Sequence, residues 1–227
     1  DFQKSPKITI ILNPNMSENI FTKSIKSILN QSYSNWELFI LGKLYSNKEI
    51  KEMFSNSEYS FFKKISLSQT SDQLSLNRIK TLMSGDFLCI MEKNVILQNN
   101  ALFLIIKSIN DKINFDLFYS DEEIIFKEKT KVQPFFKPDW SPYLFLQMNY
   151  VGNLFILSKK FLLEVDLSDK MNVKNMENYL QYFCSKTDNI FHLPEILFSS
   201  LYDKFQDFNP FFDRENVLLN LENKNIK

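Results

Sequence analysis

Over about the first 120 residues, short apolar runs alternate with stretches of helical period, the pattern of βα units wound around a mostly parallel sheet. Lys7 to Leu12 is a nearly unbroken apolar run and predicts a buried strand. Ile20, Phe21, Ile25, Ile28 and Leu29 follow at spacings that share one helical face, with Ser17 placed to cap the start. Trp36 to Leu41 predicts a second strand, Ile50 to Phe54 a short helix, and Phe61 to Leu67 a third strand, weakened by two lysines. A helix from about Ser71 to Met83 is expected to end at Ser84-Gly85, with Gly85 suited to a left-handed stop. Phe87 to Met91 predicts the fourth strand, Ala101 to Ile109 lies in another helix, and Leu117 to Tyr119 forms a further strand.

After Ser120 the pattern gives way to proline punctuation and aromatic clusters, most densely from Pro134 to Pro142. Phe and Trp side chains are costly to leave in water, so this stretch reads as a structured loop and not as a linker. A strand at Leu154 to Leu157, a helix around Met176 to Phe183 and a strand ending near Leu197 complete the pattern. The last dozen residues are polar and no internal repeat is present. In open α/β sheets ligands bind beyond the carboxyl ends of the strands, which directs attention to the segments after Leu12, Leu41, Met91 and Tyr119.

Composition narrows the chemistry. With 227 residues the chain can bury a full core as one large domain. Its 27 basic and 27 acidic side chains balance, which lacks the footprint of a protein that grips nucleic acid or an anionic membrane. No apolar run reaches the roughly 20 residues of a spanning helix, and Asp1-Phe2-Gln3-Lys4 is no signal peptide, so a cytoplasmic location is expected. The absence of an initiating methionine leaves open that this is a domain of a larger multidomain protein. Three glycines, Gly42, Gly85 and Gly152, cannot build a Walker loop or a G-x-G-x-x-G turn. The lone histidine, His192, excludes a two-histidine zinc site and sits in an apolar run that suits a structural imidazole. Cys89 and Cys184, each within an apolar run, read as buried free thiols.

Several segments together resemble the family 2 glycosyltransferases, and among them the bacterial group that extends cell-surface polysaccharides. They are Pro6 to Leu12, Ser27 to Tyr33 and Asn35 to Leu38, then Leu76-Asn77 with Ser84 to Leu88. They continue with Tyr119 to Glu123, Phe136 to Pro142, Asn149 to Gly152 and His192 to Leu197. The resemblance implies a GT-A type nucleotide-sugar-binding fold over residues 1–227, with a mostly parallel central sheet flanked by helices. It implies a nucleotide-binding half over about 6–120, an acceptor-side half over about 121–200, and a polar tail. The partners it implies are a nucleotide sugar and a glycan acceptor.

Such transfer leaves extra negative charge on the departing diphosphate, which the family stabilises with a divalent cation held by an Asp-x-Asp motif, while a carboxylate removes the acceptor proton. Where the family shows that acidic motif, this chain has Glu92-Lys93-Asn94-Val95, and Glu92 and Asn94 are the oxygen donors available to Mg²⁺ or Mn²⁺. Glu177 is the one carboxylate in the segment resembling the catalytic base. Asn77, Asp121 and Trp140 fall in segments that the resemblance places on the substrate side. Trp140 and Tyr150 suit either a sugar face or the core, and Asp121 suits either a sugar or a turn. The family's paired aspartates after the second strand are replaced by Gly42-Lys43, and its His-Trp-Arg element by Ser199-Ser200. Two functions stay open: a glycosyltransferase building a bacterial surface glycan, or a noncatalytic domain of the same fold that serves binding or assembly.

Overall fold

A computed structural model describes residues 2–13, 15–40, 65–67, 76–111, 113–128, 131–167, 176–204, 207–208 and 210–211. The expected helix at Ile50 to Phe54, the start of the third strand, residues 71–75, Gly42-Lys43 and the polar tail lie outside them. The strands are β1 Ile8–Leu12, β2 Trp36–Ile40, β3 Ile65–Leu67, β4 Phe87–Met91, β5 Val95–Leu97, β6 Leu117–Phe126, β7 Lys131–Phe135, β8 Leu154–Ser158 and β9 Ile190–Tyr202. The helices are α1 Glu18–Leu29, α2 Leu76–Leu82, α3 Ala101–Asn110, α4 Pro142–Phe145, α5 Lys159–Glu164 and α6 Met176–Lys186.

All nine strands among the described residues join one sheet in the order β3-β2-β1-β4-β8-β6-β9-β5, with β7 added along β6. The run β3-β2-β1-β4 is parallel throughout, as βα winding requires. The β6–β9 pair is also parallel, and β8 joins the two parallel runs by antiparallel pairing on both sides.

Alternation along β1 and β4 divides the core between the two faces of this sheet. Ile8, Ile10 and Leu12 of β1, with Cys89 and Met91 of β4, pack against Phe21, Ile25 and Ile28 of α1 and Leu102, Ile105 and Ile106 of α3. Ile11, Leu88 and Ile90 point the other way, into Ile79, Phe161, Leu162, Tyr179, Leu180 and Phe183. Burial on both faces is why β1 and β4 read as continuous apolar runs. Each such Ile, Leu or Phe side chain contributes about 1.5–3 kcal/mol when fully buried. Cys89 and Cys184 are buried free thiols, and burial pushes the Cys89 thiol up to about 12.

Several elements differ from expectation. Ser17 occupies the N-cap of α1 with extended backbone, but its side chain makes no capping bond, so α1 is held by its buried face. Gly85 is not a left-handed stop, since α2 ends at Leu82 and the glycine with positive φ among the described residues is Gly152. Close approach explains Gly85: a Cβ there would lie 2.5 Å from Thr9 Oγ1 and 2.6 Å from Thr9 N. Strand β6 continues through the polar run Ser120 to Glu123 to Phe126, and β9 extends past Leu197 to Tyr202, so Ser199-Ser200 lie inside the strand. The register between them jumps from Ser120↔Leu193 to Asp121↔Ile196 and then Glu122↔Phe198. That bulge takes up Pro194, which has no amide to donate to a ladder.

Candidate functional site

Adjacent parallel strands β1 and β4 end side by side, and the first residues beyond them meet. Asn13 Nδ2 donates to Glu92 Oε2 at 2.9 Å, and the Lys93 amide donates to the same oxygen at 3.3 Å. Asn94 then turns the chain into β5 through a left-handed conformation, φ 65°, which Asn adopts more readily than most residues. Its carbonyl accepts from Leu201 N at 2.9 Å, tying the turn to β9. Burial raises the Glu92 carboxyl above the ordinary range, against the opposing bond from Asn13 and the amide and charge of Lys93.

The donor set at this turn is one carboxylate with neighbouring amide oxygens. Among the described residues no group of three or more His, Cys, Asp or Glu side chains is placed to hold a metal ion. Mg²⁺ is commonly held by one or two carboxylates together with substrate phosphates. Among the described residues Glu92 therefore fits an ion shared with a ligand phosphate and not a preformed protein cage.

A second network lies where β6 and β9 run parallel. Asp121 is 3% exposed, and its Oδ1 accepts from the Lys137 amide at 2.8 Å and lies 2.9 Å from His192 Nε2. The other ring nitrogen, Nδ1, lies 3.0 Å from Asp139 Oδ1, and the imidazole stacks on Tyr119 at 4.8 Å. The Tyr119 hydroxyl donates to Pro138 O at 2.6 Å. Asp121, His192 and Tyr119 thus clamp residues 137–139 to the sheet. Trp140, next in the chain, packs on Phe145 and Tyr150 with ring centroids 5.3 and 6.2 Å apart.

Between these networks lies a buried ion pair that the sequence reading did not single out. Lys137 Nζ lies 3.1 Å from Glu122 Oε1, with both side chains almost wholly buried, and donates to Val151 O at 2.8 Å. The Ser200 hydroxyl donates to the other Glu122 oxygen, Oε2. Burial lowers the Lys137 pKa, opposed by the carboxylates of Glu122 and Asp121. Gly152, at φ +84°, passes so close that a Cβ would sit 2.6 Å from Glu122 Oε1. The next residue, Asn153, accepts from the Glu92 amide at 2.9 Å and donates from Nδ2 to the Tyr202 hydroxyl at 3.1 Å. Burial, reinforced by the Glu122 charge, pushes Tyr202 up to about 12. The available signal was the position of Lys137 inside the aromatic and proline-rich run from Pro134 to Pro142, where a charge needs a partner.

The described residues therefore place Glu92 and Asn94 on one turn, and Asp121 and Trp140 on the separate β6–β9 side. Asp121 lies within a strand and not at a turn after one. Asn77 is in α2 and Glu177 in α6, and their side chains lie outside the described residues.

No protein-family model matches the chain. It is 25% identical over 174 residues to the uncharacterized protein y4gI of Sinorhizobium fredii, covering 72% of this chain and 18% of that protein. It is 22% identical over 186 residues to the O-antigen biosynthesis protein RfbC of Myxococcus xanthus, covering 80% of this chain and 15% of that one. The chain thus spans only a small part of both curated relatives. Among solved structures, S. aureus TarS 1–349 in complex with UDP superposes with a TM-score of 0.64 at 12% identity, over 86% of this chain and 60% of that one. The UDP-GlcNAc complex of TarS 1–349 gives 0.64 at 15% identity, over 86% and 58%. The fold shared with TarS is a mixed α/β sheet flanked by helices.

Proposed function

We propose that this chain is a family 2-type glycosyltransferase domain that takes a sugar from a nucleotide donor and adds it to a bacterial surface glycan in the cytoplasm. The observation that carries this reading is the position of Glu92. It is a partly buried carboxylate at the carboxyl end of β4, bonded from Asn13 at the end of β1, on the side of the sheet where open α/β folds take their ligands. Two further facts support it: the fold is shared with a protein solved with UDP and UDP-GlcNAc, and the sequence is similar to a protein named for O-antigen biosynthesis.

In this reading Glu92 and Asn94 hold Mg²⁺ or Mn²⁺, which when bound offsets charge on the leaving diphosphate. Asn13 orients the Glu92 carboxylate, and Lys93 adds positive charge beside the phosphates. Asn77, Asp121 and Trp140 serve the substrate side, Asp121 by holding the segment that presents Trp140. Glu177 on α6 takes the proton from the acceptor hydroxyl as that oxygen bonds to the sugar.

Calorimetric titration with UDP and other nucleoside diphosphates, with and without Mn²⁺, tests the proposal. Mn²⁺-dependent binding that Glu92→Ala abolishes is the expected result. Because the Glu92 carboxyl is raised, that binding strengthens as pH rises and the proton leaves. No binding to any nucleotide under any condition overturns the reading.

A second reading, a noncatalytic domain of the same fold acting in binding or assembly, is favoured by one observation. Glu92 is the single carboxylate of its turn, with Lys93 beside it. Nucleotide binding indifferent to Mn²⁺ and to Glu92→Ala supports that alternative.

A further inference from the structure

We infer that the buried Lys137–Glu122 pair is a positioning device for Glu92, acting through residues 151–153. The path is continuous. Lys137 Nζ holds Val151 O at 2.8 Å, Gly152 follows in the left-handed conformation against Glu122, and the carbonyl of Asn153 receives the Glu92 amide at 2.9 Å. Ser200 braces the same path twice, donating to Glu122 and lying 3.4 Å from Asn153 Nδ2. Lys137 also lies over the Phe198 ring, 4.9 Å from its centroid, so its ammonium is enclosed by a carboxylate, a carbonyl and an aromatic face.

The geometry explains why a fully buried charge pair stands here. Residues 151–153 lead into β8, which borders β4, and their main chain is the neighbour of the Glu92 turn. Glycine adopts the left-handed region without strain but is also free to leave it, so the direction of the peptide at Gly152 must be fixed by its surroundings. The ammonium fixing Val151 O and the carboxylate facing Gly152 supply that constraint from both sides. Lys137 and Glu122 touch no ligand in this scheme, and they fix the main chain from which the Glu92 carboxylate projects. The coupling is a property of the folded chain, whereas its service to a nucleotide site rests on the function proposed above.

The test compares wild type with the Lys137→Met/Glu122→Gln double variant, which leaves no unpaired buried charge, and with the milder Ser200→Ala. Amide hydrogen exchange is followed by NMR at Glu92, with Ile10 and Cys89 as references in β1 and β4. Exchange at Glu92 is expected to quicken by about tenfold in the double variant, the loss of one ordinary hydrogen bond, with the references unchanged. Ser200→Ala shows the same pattern with a smaller rise, and it decides the matter if the double variant does not fold. A uniform rise at all three amides, or no rise at Glu92, overturns the inference. Titration with UDP adds a separate readout: the double variant keeps metal-independent affinity and loses the Mn²⁺-dependent increment, whereas a merely structural role weakens both alike. If wild type binds no nucleotide, the proposed function fails and the exchange pattern alone decides the coupling.

Discussion

Where β1, β2 and β4 meet α1 and α3, the buried polar groups are neutral: Ser24, Ser27, Gln31 and Ser108. Across the same sheet, β6, β9 and the segment between β7 and β8 bury Asp121, Glu122, Lys137 and His192. The first group closes its bonds through the backbone. Gln31 donates to Ser27 O and Gln98 O and accepts from Leu102 N, and so serves an amide at the start of α3 that Asn100 leaves without a side-chain cap. In the second group charges answer charges across distant parts of the chain. Neutral groups bonded to the main chain give way one at a time, whereas each member of a charged pair depends on the other.

The largest expected effect comes from breaking that dependence. Lys137→Met alone leaves Glu122 buried without its cation and should cost about 4 kcal/mol in urea denaturation, most of which the added Glu122→Gln restores. On the neutral side, Ile10→Ala opens a cavity between α1 and α3 and should cost about 3 kcal/mol, a loss that no second substitution of a polar partner can offset. Gly152→Ala forces a Cβ toward Glu122 Oε1 at positive φ, and a fall in stability of about 2 kcal/mol is expected from thermal unfolding.

The smallest effect concerns Glu37, which alternation along β2 turns to the face opposite α1 and α3. Burial alone would raise its carboxyl, yet bonds from Thr9, from the hydroxyl and amide of Ser84 and from Lys7 bring it down to about 2. A depressed carboxyl stabilises the fold above its unfolded value of 4.5, and that stability is lost as pH falls toward about 2. Glu37→Gln should therefore cost about 1.5 kcal/mol at pH 7, with the two stability curves converging across that acid window.

Legibility followed the same division. The strands and helices of the first half were readable because each buries an apolar stripe of fixed period: Ile8 to Leu12, the α1 face, Phe87 to Met91 and the α3 face. The extension of β6 through Ser120-Asp121-Glu122-Glu123 was hidden because these residues look like a solvated turn until their partners are known. Three-residue β5 is too short to show a period, and β7 contains Pro134, which argues against a strand except at an edge such as the one it forms on β6. At the candidate site, Glu92 and Asn94 were legible as the residues following a buried strand. Asn13 falls in the segment after Leu12 that the same argument picks out, whereas Glu122, Lys137, Gly152 and Asn153 were not legible, since no periodicity marks them.

The order of apolar positions by itself determined that this chain winds a parallel α/β sheet, because burial of a strand or helix face depends on spacing within one short segment. The absence of a glycine-rich phosphate loop was equally plain from three glycines. Only the tertiary structure decided how the buried charges are partnered, since His192 meets Asp121 across 71 residues of chain and Ser200 meets Glu122 across 78. Those meetings depend on the bulge at Pro194 that shifts β9 along β6, and on β8 bringing Asn153 beside Glu92. Strand register is a property of the assembled sheet, and a one-residue slip would turn each of these side chains to the opposite face.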